Sequence, residues 1–376
     1  MPTAASGPTR SITSTSWDRP RRRAIVVGGS LAGLCAALAL SASGWEVTIL
    51  EQSTQPPAGM GMSIDVALLS AVTGLDMRAL PVIETGFPAT GWGLLRQALA
   101  DAVERQPRID LREGVRALAV VDGQTDVVVE TNAGMHRAEF VVGADGYAST
   151  VRRLVSPEEP HAEYGGVVLW RGLVDESDIP GGFTTRDIGF AFRPAGTQML
   201  ATYVIPGARG ELDPGHRRGV FISFDCSRDA LLRRDGYVNG TVVKATVHGS
   251  GLSRTEIEDL HHETRQWPAP WGRAAAIAVR ERAFIGTPIA EFLPSRLVRG
   301  RVAILGDAAH SVSPITGGGF HNGLLDVASL VSALDETPDV TRALRRYEEH
   351  RLAPVRALVT RSRAWSRSFV RSDPCG

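Results

Sequence analysis

A mixed α/β fold with two sheet layers follows from three features of the sequence. Residues 24–51 read as strand, glycine turn, helix and strand. A block from about 161 to 250 holds short β-rich runs without the alternation of a βαβ unit. Strand-then-helix character returns at 301 and runs to the end.

The elements follow in order. Ala24–Val27 is a short apolar strand, Leu31–Ser43 a helix and Glu46–Leu50 a second strand. Gly93–Arg105 is an amphipathic helix, with Leu94, Leu95, Ala98, Leu99, Ala102 and Val103 on one face. Val115–Val120, Thr125–Thr131 and Arg137–Val142 read as antiparallel strands joined at Asp122-Gly123 and Asn132-Ala133-Gly134. The second layer comprises Val167–Val174, Ile188–Phe192, Gln198–Val204, Val220–Phe224 and Thr241–Val247. Arg301–Leu305 is again a strand, and a long helical pattern starts near Phe320.

Composition narrows the function. The 376 residues are enough for about two domains, and 41 basic side chains balance 41 acidic ones. That balance leaves no electrostatic footprint for nucleic acid. Cys35, Cys226 and Cys375 form no CxxC pair, which argues against a disulfide framework or zinc site and fits a reducing cytoplasm. Arg21-Arg22-Arg23 followed by the uncharged run Ala24–Ala42 could be a twin-arginine signal or a membrane span. Gly28, Gly29 and Gly33 within the run, and the strand after it, favour a buried strand, turn and helix. Residues 2–20 are expected to be a disordered tail.

The turn Gly28-Gly29-Ser30-Leu31-Ala32-Gly33 carries the first chemistry. Gly28 permits the tight turn, Gly33 lets the helix approach the sheet, and the amides at the helix start face a pyrophosphate with the helix dipole behind them. Ser30 replaces the usual second glycine but is small enough to let the backbone approach. Glu51, 23 residues after Gly28, is placed to reach a ribose hydroxyl, as in FAD or NAD. Gln52 follows it directly.

Two later segments select between those cofactors. One is Gly143-Ala144-Asp145-Gly146 with Ser149 and Arg152-Arg153; the other is Gly306-Asp307-Ala308-Ala309-His310 with Pro314, Gly317, Gly318, Gly319 and Asp326. With these in order over roughly residues 23–350, the sequence resembles the single-component, p-hydroxybenzoate and salicylate hydroxylase-like FAD monooxygenases. The stretch Thr90-Gly91-Trp92-Gly93-Leu94-Leu95 resembles the subset acting on hydroxypyridines and similar small aromatics.

The resemblance implies a Rossmann-like FAD-binding domain of the GR2 type, a β-sheet substrate domain and C-terminal helices. The expected division is 23–66, 93–160 and 275–335 for FAD, 67–92 and 161–274 for substrate, and 336–376 for the helices. It implies that Gly28, Ser30, Leu31, Ala32, Gly33, Glu51 and Gln52 hold the ADP half of FAD, with Asp145 and Gly146 near the pyrophosphate. It also implies Gly306 and Asp307 at the ribityl chain, and Pro314, Gly317, Gly318, Gly319 and Phe320 beside the reactive edge. Relatives carry an FAD-contacting arginine near residue 92; here Trp92 stands there and Arg96 lies a turn later. His321 takes a place where relatives carry Asn and is a candidate base, or a space filler. Trp170, Arg171, Phe192 and Tyr203 are candidate substrate contacts, with Arg171 positioned to meet a carboxylate or phenolate.

The reaction so implied uses NADH or NADPH as a transient reductant and O2, and places one oxygen atom on an electron-rich aromatic ring. The alternatives are an epoxidase or reductase on the same scaffold, a flavin-binding sensor without turnover, and an NAD dehydrogenase. No metal site is expected, since His261-His262-Glu263 are adjacent on a helix and cannot share a face. No stable membrane association is expected of the basic tail from Leu352, and monomer or homodimer stays open.

Overall fold

The computed structural model describes residues 22–55, 60–85, 87–195 and 198–372. The tail expected to be disordered, and Cys375, lie outside the described residues.

A six-stranded sheet forms the first layer. Its order is Val298–Arg299, Val302–Ile304, Phe140–Gly143, Arg23–Val27, Glu46–Glu51 and Ile109–Glu113, parallel except for the first, edge strand. The runs Ala24–Val27 and Phe140–Gly143 are buried at every position, which is how central strands covered on both faces read in sequence. Helix Leu31–Ala42 packs behind them, and ten of its twelve residues are buried because helices Trp92–Glu104 and Gly319–Glu336 enclose it. That enclosure explains an uncharged stretch that resembles a membrane span. No helix among the described residues is long and apolar enough to cross a membrane.

One expected strand divides. Gly134–Ala138 closes a three-stranded antiparallel meander with Ala117–Asp122 and Val127–Thr131, while Phe140–Gly143 leaves it for the parallel sheet. The first piece is exposed or half-exposed up to Ala138; a continuous buried run marks the second.

The second layer is built on the long strand Glu163–Asp175. It pairs antiparallel with Arg218–Asp225 on one side and Phe284–Glu291 on the other, and Gln198–Ile205 and Ala191–Ala195 extend it. Phe284–Glu291 was expected in the cofactor half, but its ladder with Glu163–Asp175 places it in this sheet. The expected strand start at Ile188 is a helical turn, Thr185–Ile188, closed by a capping box between Thr184 and Asp187. Alternation gives the sheet two faces. Val174, Leu200, Val204 and Phe221 pack against helix Trp271–Arg280, whose Trp271 stacks on Phe183 at 4.9 Å. The opposite face turns toward the first layer. Nearby, Glu176 and Arg217 form a buried bidentate pair (2.8 and 2.9 Å), and the amides of Phe183 and Gly215 satisfy the carboxylate further.

Helix Gly319–Glu336 packs on the first layer, and a final helix, Val340–Ser372, lies against it and against both sheets. The expected helical run from Phe320 is therefore two helices.

Candidate active site

Three separated segments meet at the carboxyl ends of the parallel strands. Gly28 has φ +108°, and a Cβ there would overlap the carbonyl of Ala144, so the first glycine turn lies directly on the second segment. A Cβ at Gly33 would overlap the carbonyl oxygen of Gly28. A Cβ at Gly306 would lie 3.2 Å from that of Ala32, which joins the first segment to the third. Arg152 joins second to third: buried, it donates to the carbonyl of Ala308 at 2.9 Å and to those of Pro160 and Tyr147, and covers the Phe292 ring at 4.4 Å. Burial pulls its pKa down to about 10, against the opposing pull of Asp145 and Asp307.

Around this junction the polar groups face one way. Ser30 caps helix Leu31–Ala42 in an extended conformation with no side-chain bond, and the first backbone bond runs from Leu34 to Ser30. The amides of Leu31, Ala32 and Gly33 are therefore outside the helical ladder and suit a pyrophosphate. Glu51 accepts from the amides of Gly29 (2.6 Å) and Ser53 (2.8 Å), which fixes the carboxylate while leaving lone pairs for ribose hydroxyls. Gln52 is exposed beside it. Arg96 is buried with its Nη2 3.5 Å from Glu113 and without a hydrogen bond, and Glu113 pairs in register with Glu51. That orphaned donor fits an acceptor on the nucleotide.

Asp145 accepts from Ser149 Oγ (2.5 Å) and the amides of Thr150 and Val151, so its carboxylate closes its own turn. Gly146, with φ +75°, has open space at its Cβ position.

The Asp307 side chain is exposed and its carboxylate makes no hydrogen bond or ion pair among the described residues, yet the protein around it pushes its pKa up. Exposed at the start of its turn, the carboxylate suits the hydroxyls of a ribityl chain. Its turn is held from below. Asp326 accepts from the Gly306 amide (3.0 Å), His310 Nε2 (2.6 Å) and Arg351 Nε (2.7 Å), and all four groups are buried. Burial opposes charge on the pair, but the mutual attraction keeps the Asp326 pKa low and the His310 pKa high; Arg351 helps hold Asp326 down, while its charge works against protonated His310.

The loop beyond is a short helical turn, Pro314–Thr316, with Gly317 left-handed at φ +58° and Gly318 capping helix Gly319–Glu336. Phe320 is half-buried against the core. His321 is exposed and makes no hydrogen bond or ion pair. Its neighbour Asn322 is the integrated residue: it donates to the Gly318 carbonyl (2.9 Å) and accepts from Arg351 (3.1 Å). Neither Asn322 nor Arg351 belongs to a motif; the i, i+4 return to a glycine cap is the sequence signal that points to Asn322.

The second sheet presents its other face here. Leu169, Ala201, Phe224 and Ile289 pack with Ile315 of the loop, and Tyr203 with Phe87 and Phe190. Arg171 shares this face. Its Nη2 donates to Thr287 Oγ1 (3.1 Å), its buried Nε has no partner, and burial lowers its pKa. No carboxylate among the described residues pairs with it. Phe192 is 45 % exposed. Tyr203 is buried and donates to the Gly61 carbonyl (2.7 Å), which ties the hairpin Gly61–Ser63 to the sheet. Trp170 points to the opposite face: it is core, with its indole N–H on Asp225 (2.9 Å), so it is not a substrate contact. Glu263 turns to Arg228 and Gln198.

Residues 272–362 match the family model described as FAD binding domain. The chain is 28 % identical to FAD-dependent urate hydroxylase of Klebsiella pneumoniae subsp. pneumoniae, over 91 % of this chain and 88 % of the relative. It is 25 % identical to 2,6-dihydroxypyridine 3-monooxygenase of Paenarthrobacter nicotinovorans, over 88 % and 87 %. Among solved structures, 2,6-dihydroxypyridine-3-hydroxylase from Arthrobacter nicotinovorans superposes with a TM-score of 0.73 at 19 % identity, over 95 % of this chain and 96 % of that one. A Klebsiella pneumoniae protein solved with FAD and uric acid gives 0.69 at 21 % identity, over 93 % of each.

Proposed function

We propose, for a chain that belongs to the single-component FAD-dependent aromatic monooxygenases, that the substrate is a small, planar, electron-rich heteroaromatic bound as an anion. The carrying observation is the junction of the three glycine-bearing segments beside an apolar sheet face that bears an arginine without a counter-ion.

The donor set fits the cofactor. The amides of residues 31–33 would meet the pyrophosphate, Glu51 the ribose and Asp307 the ribityl hydroxyls, with Arg96 supplying a further donor to the nucleotide. FAD bound there, reduced by NAD(P)H, supplies the activated oxygen for hydroxylation, the second atom of O2 leaving as water. The chain's own contribution is placement. The N-terminus of helix Gly319–Glu336 offers positive potential to developing negative charge beside the loop. The apolar face formed by Leu169, Phe224, Ile289 and Ile315 excludes water from the transfer. Arg171 orients the substrate by pairing with its carboxylate or ring oxyanion, and the same charge favours the deprotonated, more electron-rich ring.

Cys35 and Cys226 as thiols suit a reducing, cytoplasmic setting. The test is oxygen-dependent oxidation of NADH and NADPH by flavin-loaded protein, with 2,6-dihydroxypyridine, uric acid and 3-amino-4-hydroxybenzoate as stimulants. Labelled O2 should add one heavy oxygen atom to the product. Retained flavin with no stimulation across a broad aromatic panel would favour the non-catalytic flavin-binding reading.

A further inference from the structure

The final helix meets the site twice along one stripe. Ser362, Trp365, Ser366 and Phe369 recur at three- and four-residue intervals and so share a face. Ser362 Oγ accepts from the amide of Ser313, the residue before the Pro314 loop, at 2.8 Å, and donates to buried Glu291. One turn further on, Trp365 and Phe369 stack at 5.1 Å and 12°, and both stand edge-on to Phe224, at 5.2 and 6.4 Å. Gly165 and Gly166 permit this approach, since a Cβ at Gly166 would lie 3.0 Å from Val370 and one at Gly165 3.5 Å from Ser366. Arg363 clamps the same turn to Glu163 at 2.9 Å.

Neither ring is closed over. Trp365 and Phe369 are half-buried, as are their neighbours Phe190, Met199, Ile222 and Ile315. Cores close over large apolar side chains; here a group of them stays half-open on one sheet face, continuous with the flavin-side loop through Ile315. Arg171 stands two residues along the strand from Leu169, about 7 Å away, at the far side of that opening.

We propose that Trp365 and Phe369 form the wall against which the substrate ring lies, so that the final helix sets which planar rings are accepted. The assignment rests on the heteroaromatic hydroxylase reading. An aromatic wall and floor suit a flat ring by offset stacking, and the charge of Arg171 beyond them suits a ring with an anionic substituent at one edge. One rigid helix then carries both the wall and the Ser362 tie to the loop.

The experiment titrates 2,6-dihydroxypyridine and uric acid into flavin-loaded protein, following the bound-flavin absorbance, and measures KM and hydrogen peroxide formed per NAD(P)H for any that turn over. Trp365→Ala should weaken binding of a probe the wild type accepts by about tenfold and raise peroxide release. Trp365→Phe, which keeps a flat ring, should stay within about threefold, and Phe369→Leu should fall between. FAD content should stay near wild type in all three, and Trp365→Phe should keep close to the wild-type Tm. Equal binding by wild type and Trp365→Ala, or a loss in Trp365→Ala that Trp365→Phe shares in full, overturns the wall alone. A wild type that binds neither probe overturns both the wall and the heteroaromatic reading.

Discussion

Removing the Asp307 carboxylate separates cofactor binding from stability. The group is exposed and makes no protein hydrogen bond, while its crowded position raises its pKa. A carboxylate whose folded pKa is raised destabilises the folded state once pH exceeds its unfolded value, so Asp307→Asn should leave the flavin-free protein as stable or slightly more stable at pH 7. Asp307→Ala should weaken FAD binding by about 10- to 100-fold, the loss of hydrogen bonds to a charged acceptor at about 1.5–3 kcal/mol. Flavin fluorescence titration beside thermal melts checks both. Gly33→Ala should behave oppositely, since the added Cβ meets backbone that cannot step aside, and at least about 2 kcal/mol of stability should be lost together with bound flavin. For Arg171→Met, the apolar stem is kept and an unpaired buried charge is removed. Stability should hold or rise while KM for an anionic substrate climbs by tenfold or more, and an unchanged KM would remove Arg171 from the site.

Among the elements, the pair that fastens the Glu176 turn to the second sheet carries a pH signature. Burial opposes ionisation of Glu176, but Arg217 and two backbone amides prevail and bring its pKa from 4.5 to about 2. The stabilisation is present above the unfolded value near 4.5 and is lost as pH falls toward 2, a change on the order of 2–3 kcal/mol. Glu176→Gln should therefore melt well below wild type at pH 6, with the gap narrowing by pH 3.5. Elements of this kind were partly legible. Continuous apolar runs announced the parallel strands, and glycine positions announced the turns around Gly28 and Gly306. The split at Glu139 was hidden because strand propensity does not say which sheet a strand joins. Trp170 was misplaced because the period of two fixes alternation but not which face is covered, and helix Trp271–Arg280 decides that from a hundred residues away.

Across the whole molecule, the site exists only as a meeting of distant segments, so its motifs were readable and its long-range supports were not. Asp326 stood in a motif, whereas Arg351, Ser362 and Trp365 lie on a basic helix that carries no motif. FAD bridging the segments should stabilise both layers together. At a free concentration 100-fold above its dissociation constant it should add about 2.7 kcal/mol, seen as a single calorimetric transition that moves upward with added FAD. Two separate transitions, only one of them responsive to FAD, would show that the layers unfold independently.

The bond from Arg351 to Asp326, which steadies the Gly306 turn, has a bearing on biosynthesis. A nascent chain leaves the ribosome N-terminus first, at roughly 5–20 residues per second. The Gly28 turn emerges early, but the support under Asp307 is incomplete until the final helix has been translated. Newly made protein should thus stay colourless until residue 351 has left the ribosome, and a product arrested before it should hold flavin poorly even though every glycine motif has already been made.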